Sequence, residues 1–252
     1  MWFSRFLSTL LLSRTSSHYW ATGRTLCVSL IAAPLLEIIA SVFLGKALGA
    51  PLLDAVACRF ILLGTVIISA STFTLSVVTD NTNGILPQVL TYRRFDTAYW
   101  CAHSTLSAFS GVLSGLVSIG ALMLCFTPFS PIMTRACLLL PCTAVAGCAL
   151  GFLCATCAPL TQDPFLLLNT FIAMLPLSTG ALVPLHSYPV PLSALFMYFP
   201  FSHLISSIEA PQSDLFSYIF FEVVVSLVNC VLALFALYAL RQKIRQGSHK
   251  KA

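Results

Sequence analysis

The stretch that decides the reading is Phe165–Glu209: FLLLNTFIAMLPLSTGALVPL (165–185), then HSYPVPLSALFMYFPFSHLISSIE (186–209). Its first half is an apolar run of about 20 residues, enough to cross a hydrocarbon core of roughly 30 Å as a helix. Its second half stays apolar, but Pro184, Pro189, Pro191 and Pro200 interrupt it. Proline lacks a backbone donor and breaks helices. Irregular backbone cannot face lipid with its polar groups unsatisfied, so it must be buried in protein, line a cavity or sit at the interface. The expectation is a spanning helix that runs into an external or re-entrant segment over 184–215.

The rest of the chain has the composition such a segment requires. Of 252 residues, 58% are hydrophobic and 8% charged, where a soluble domain carries about 25% charged residues. The expected fold class is an all-α membrane protein forming a single transmembrane domain over 1–252. The net charge of +5 does not signal nucleic-acid binding in such a chain. Most of the ten cysteines lie in apolar runs, where they behave as small hydrophobes. Cys154-x-x-Cys157 has no second pair or histidine pair beside it, and a closed zinc site uses four ligands, so packing is expected there and no metal. The N-terminus has a short apolar core and SRTSSHYW in place of a small-residue cleavage site, which argues against a signal peptide.

In residues 1–19, Trp2, Phe3, Phe6, Leu7, Leu10 and Leu11 share one helical face, and Ser4, Arg5, Ser8 and Thr9 take the other. Such a stripe predicts an amphipathic helix lying in the membrane interface. Apolar runs then predict six spans: about 25–44, 57–78, 104–126, 136–157, 165–183 and 218–240. Spaced small residues in the third (Ser107, Gly111, Gly115) and fourth (Gly147, Gly151, Ala155) let helix backbones approach closely. The polar interval 80–103 reads as a loop, and 241–252 as a basic tail. With both termini cytoplasmic, ten Lys and Arg fall inside and three (Lys46, Arg59, Arg135) outside, as the positive-inside rule prefers. That places 80–103 in the cytoplasm and the broken segment outside.

The order of Pro176, Ser178, Gly180, Ala181, Pro184, Tyr188–Pro189, Pro200, Ser202 and His203 resembles the last third of ABC-2 type transporter permeases. The likeness is closest to exporters of lipo-oligosaccharides and daunorubicin. It implies a plasma-membrane permease subunit that forms half of a translocation path. It also implies two partners, a second permease subunit, expected to be an identical copy, and a separate ABC ATP-binding subunit. In that family the loop between spans 2 and 3 docks on the ATPase. Here it offers Asp80, Asn83, Gly84, Leu86, Gln88, Arg93 and Arg94, with Pro87 interrupting the expected apolar helix. Glu209 stands where family members often carry Arg.

The chain lacks the G-x-x-x-x-G-K-[ST] phosphate cradle, so ATP would be bound by the partner and no cofactor by this chain. Intramembrane ionisable groups are costly and are functional candidates. Glu37, three residues after Pro34, is the sharpest, and it is assigned with Ser178 and His203 to the translocation path. Pro184, Tyr188, Pro189 and Pro200 define the re-entrant segment. Glu37 also carries the alternative reading, an ATP-independent secondary transporter with a proton or ion site. A membrane-embedded enzyme would need converging acids or nucleophiles, and Glu37, His103 and Glu222 are scattered over three spans, so no catalytic residue is assigned. The same sequence places Glu222 near the outer end of the last span, reaching the interface.

Overall fold

The computed structural model describes residues 2–17, 20, 22–47, 53–92, 95–125, 130–208 and 215–249. Among them there is no β-strand. Five helical stretches are long and apolar enough to cross a membrane: Gly23–Ala47, Asp54–Thr82, Thr97–Leu124, Pro131–Leu160 and Leu215–Ile244. These suggest a multi-pass membrane protein.

Helix α1 (Trp2–Ser16) packs against the start of α6 (Thr97–Cys125). Trp2 Nε1 donates to Thr97 Oγ1 at 2.9 Å, and Ser13 and Ser17 are buried. The large residues Trp2, Phe3, Leu7 and Leu11 point outward, as a helix lying against lipid would aim them. The next rod joins α2 (Gly23–Cys27), a π-turn (Val28–Ala32) and α3 (Ala33–Ala47). A capping box between Thr22 and Thr25 starts it. The π-turn precedes Pro34, whose missing N–H and ring disturb the regular ladder.

The centre of the bundle is α4 (Leu53–Thr82), which packs on α6, on α7 (Pro131–Cys157) and on α3. The small residues of α6 and α7 face it. A Cβ at Gly147 would stand 2.7 Å from the Val66 carbonyl oxygen, and one at Gly151 would stand 2.8 Å from that of Ala70. Gly111 and Gly115 of α6 meet Ser69 and Thr65 in the same way. The stripes expected to let backbones approach therefore make the two tightest helix contacts of α4. Thr74 Oγ1 adds a hydrogen bond to the Gly151 carbonyl across the α4–α7 seam, at 3.2 Å.

The interval expected as a loop over 80–103 is mostly helix. Helix α4 continues through Thr82, α5 (Ile85–Tyr92) follows a turn at Asn83–Gly84, and α6 begins at Thr97. Gly84 takes φ +76°, which glycine adopts without the Cβ penalty of other residues. Pro87 does not break α5. It sits in the first turn, where the missing N–H has no helical acceptor anyway. Arg93 and Arg94 lie outside the described residues.

The span expected over 165–183 is shorter. Helix α8 is Leu166–Ser178, 13 residues, or about 20 Å at 1.5 Å per residue. It stops because the Thr179–Gly180 turn bends the chain, Gly180 having φ +76°, and the Pro176 carbonyl accepts from Leu182 N. A 3-10 turn (Leu185–Ser187), α9 (Val190–Met197) and α10 (Ser202–Ser206) lead toward α11 (Leu215–His249). The segment nevertheless runs the length of the bundle. Near its start, Pro159 O accepts from Lys243 Nζ beside the C-terminal ends of α7 and α11. At its far end, Ile208 O accepts from Arg135 beside the N-terminal end of α7.

Candidate functional site

The bundle has two chemically different ends. At one end α4, α5 and α6 meet around a buried carboxylate. Asp80 Oδ2 accepts from the Tyr99 hydroxyl at 2.8 Å and lies 3.1 Å from His103 Nε2. The other face of the ring, Nδ1, is 2.9 Å from Ser76 Oγ, and Ser13 Oγ of α1 closes over the imidazole at 3.3 Å from Nε2. All five residues are buried. Burying one charge alone costs several kcal/mol, whereas a paired and hydrogen-bonded group is tolerated. The network therefore locks α1, α4 and α6 together, and α4 and α6 extend past their expected ends. Sequence reading missed it because Asp80 and His103 are 23 residues apart. The available signal was Tyr99 and His103 at i and i+4 on one face of a helix starting earlier than expected.

Beside this network stands α5. Leu86 and Leu90 are buried in a cluster with Phe73, Val77, Tyr99, Trp100, Leu237 and Leu240. Asn83, Gln88 and Thr91 are exposed, and Tyr92 is 87% exposed. Of the expected docking residues, Asn83 and Gln88 face outward, Gly84 makes the turn, Leu86 anchors the helix, and Asp80 is held inside. One face of α5 thus grips α4, α6 and α11 while the other presents polar side chains and an aromatic ring.

The opposite end is organised by the broken segment. The Ser202 hydroxyl lies 2.7 Å from the Phe196 carbonyl and 3.2 Å from that of Ser178, so it fastens α10 to the end of α8. The Tyr188 hydroxyl donates to the Leu177 carbonyl at 3.2 Å. Pro184 and Pro189 take extended backbone angles that introduce the short helices after them. After Pro200 the chain turns sharply, with Phe201 at φ +72°, a conformation that costs a non-glycine residue about 1–3 kcal/mol. Glu222 holds this turn, because its Oε2 accepts from Phe201 N at 3.0 Å. Glu222 is 3% exposed. It does not reach the interface as expected from sequence, since the broken segment folds back over it.

His203 packs against Phe221 with ring centroids 3.9 Å apart and the rings tilted by 44°. With Arg59, Ser202, Ser206 and Tyr218 it lines a cavity of about 200 Å³ under α9 and α10. Pro184 lines it too, while Ser178 is buried behind it with its hydroxyl turned back to Met174 O.

Glu37 sits between these ends. Its carboxylate lies over Gly64, 3.3 Å from where a Cβ would stand. Thr65, Ser114 and Ser118 line the same small niche. The structure does not bring Glu37 together with Ser178 or His203, whose contacts lie at the Arg59 end. No group of three or more His, Cys, Asp or Glu among the described residues is placed to hold a metal. Compared with models of known protein families, with curated proteins and with solved structures, this chain matches none.

Proposed function

We propose that this chain is the permease subunit of an ATP-driven exporter of the ABC-2 type, forming half of a translocation path in the plasma membrane. The observation that supports it is α5, an amphipathic helix gripped by α4, α6 and α11 with Asn83, Gln88 and Tyr92 presented outward. A push on α5 is carried directly into the central helix of the bundle. The Asp80–His103 network makes that end rigid, so displacement moves α4 and α6 as a body instead of melting their ends. In this reading α5 docks on a separate ATP-binding subunit, which binds and hydrolyses ATP, and differential binding of ATP to two states of the complex drives alternating access. A second, identical copy supplies the other half of the path.

The same reading assigns six crossings. Helix α8 with the segment up to Ile208 makes the fifth, completed by a re-entrant turn in place of a full-length helix, and both termini are cytoplasmic. The polar cavity beneath α9 and α10 then lies on the external side, where Pro184, Tyr188, Pro189 and Pro200 shape the exit and His203 faces the departing cargo. The decisive test is reconstitution of the chain in proteoliposomes with an ABC ATP-binding subunit. ATPase stimulation of at least several-fold, lost in Tyr92→Asp with the bundle still folded, is expected. Stimulation that is absent, or indifferent to α5, overturns the reading.

Glu37 favours one rival. A carboxylate facing Gly64, Thr65, Ser114 and Ser118 has the composition of a proton or ion site, so an ATP-independent secondary transporter is the second reading. Transport that persists without ATP, collapses with the proton gradient and disappears in Glu37→Gln selects it.

A further inference from the structure

A cavity larger than those at Glu37 and at His203 runs between the two ends, from Phe73 and Trp100 to Glu222. It is a groove of about 610 Å³ between α6, α7 and α11. Its floor is Ala146, Ala149 and Phe152 of α7, with Phe73 and Trp100 behind. Val145, Val223 and Leu227 form its lips and are exposed, so the groove opens sideways on the apolar surface of the bundle. On α11 its lining runs from Ile219 to Cys230, about 17 Å at 1.5 Å per residue. That is close to half of a hydrocarbon core of roughly 30 Å.

Apolar walls alone would leave the occupant open. Glu222 does not. It lines the groove near one end, is almost fully buried, and its Oε1 has no hydrogen-bond partner among the described residues. The turn at Phe201 uses only Oε2. Ser226, one helical turn on, lines the groove on the same face of α11. A buried carboxylate oxygen without a partner is costly, and a buried charge is stabilised by an opposite charge that also hydrogen-bonds to it. A cation that carries its own hydrocarbon chain meets both requirements of this groove at once.

We propose that the groove is a lateral binding site for a single-chain amphiphile with an ammonium head, the head bound by Glu222 Oε1 and Ser226 Oγ and the chain lying against Ala149, Phe152 and Trp100. The site is separate from the route assigned to an exporter. It depends on the bundle lying in a bilayer, and not on ATP.

The test uses the full chain in nanodiscs of neutral phosphatidylcholine, photolabelled with a sixteen-carbon primary amine bearing a mid-chain diazirine. The alcohol and carboxylic acid of the same length are compared. The amine is expected to label peptides containing Phe152 and Trp100 at least five-fold more than either analogue. Glu222→Gln keeps an acceptor for Phe201 N and should erase that preference. Ala149→Phe, or Val145→Trp if the first does not fold, should suppress all groove labelling about ten-fold. Labelling by the alcohol or the acid that equals the amine overturns the proposal, as does a preference that survives Glu222→Gln. Label lying outside the groove overturns it as well. So does efficient copy-to-copy cross-linking through Val145→Cys or Leu227→Cys, which would mean that a second chain covers the groove.

Discussion

Helices α4 and α11 are both membrane-length and highly apolar, yet the bundle treats them oppositely. In the most apolar window of α4, 72% of residues are buried, against 22% in that of α11. What separates them is side-chain size and hydroxyl content. Thr65, Ser69, Thr72, Thr74 and Ser76 of α4 are all buried, and glycines of α6 and α7 press against its backbone. The exposed face of α11 carries Phe216, Phe220, Leu227, Val231 and Phe235. Lipid tails are as apolar as leucine, so hydrophobicity gives no reason for one helix to be central. Close backbone approach and interhelical hydrogen bonds do.

The sharpest way to break this comparison is to add bulk where the two central backbones touch. Gly151→Leu places a side chain against the Ala70 carbonyl and Phe73 Cβ. It is expected to abolish folded protein, with no monodisperse peak in size-exclusion chromatography. A near-normal elution profile and melting temperature would mean that α4 and α7 are not held at this distance.

The next effect concerns the polar side of α4. Removing one partner of a buried pair leaves the other uncompensated, at a cost of about 3–5 kcal/mol. Asp80→Ala and His103→Ala should each lower the thermal midpoint in detergent steeply. The double variant should lose much less than the sum, because the two residues form one unit. Additive losses would show that they act separately.

At the end beside the broken segment, α11 contributes to the interior through Glu222, as it does through Leu237 and Leu240 at the other end. Glu222→Ala removes the acceptor of Phe201 N and should cost about 1–3 kcal/mol, read as a fall in thermal midpoint and faster proteolysis after residue 200. Glu222→Gln should keep most of that stability. If the two variants behave alike, the carboxylate does not hold the turn.

The smallest effect is expected on the outer face of α11. Leu227→Val or Val231→Leu should change stability by no more than about 0.5 kcal/mol. A loss approaching that of Glu222→Ala would reveal a protein partner on this face in place of lipid.

Much of the fold was legible in the residues. The apolar runs placed every long helix, and the Gly147–Gly151 stripe marked a close-packing face, which the structure sets against α4. The prolines of 184–200 marked the irregular segment. The misreadings have one cause. Runs of hydropathy end where a polar residue appears, so Asp80, Tyr99 and His103 were assigned to a loop. In three dimensions they satisfy one another, and the helices continue through them. Conversely, 165–183 is apolar throughout, yet the turn at Thr179–Gly180 stops α8 after 13 residues.

By itself the sequence determined the all-helical, apolar class of molecule, the places of its five long helices and where regular helix gives way to broken backbone, but it expected a sixth full-length span that the turn at Thr179–Gly180 cuts short. These depend on the balance of each segment with its solvent and on proline's missing donor, which are local properties. Tertiary structure alone decided that α4 is central and α11 peripheral. It also decided that Asp80 meets His103, and that Glu222 turns inward beside an apolar groove to hold Phe201 with one oxygen while the other is buried. These are meetings between residues far apart in the chain, and the packing of helices that are equally apolar is chosen by shape and hydrogen bonding, which no single segment displays.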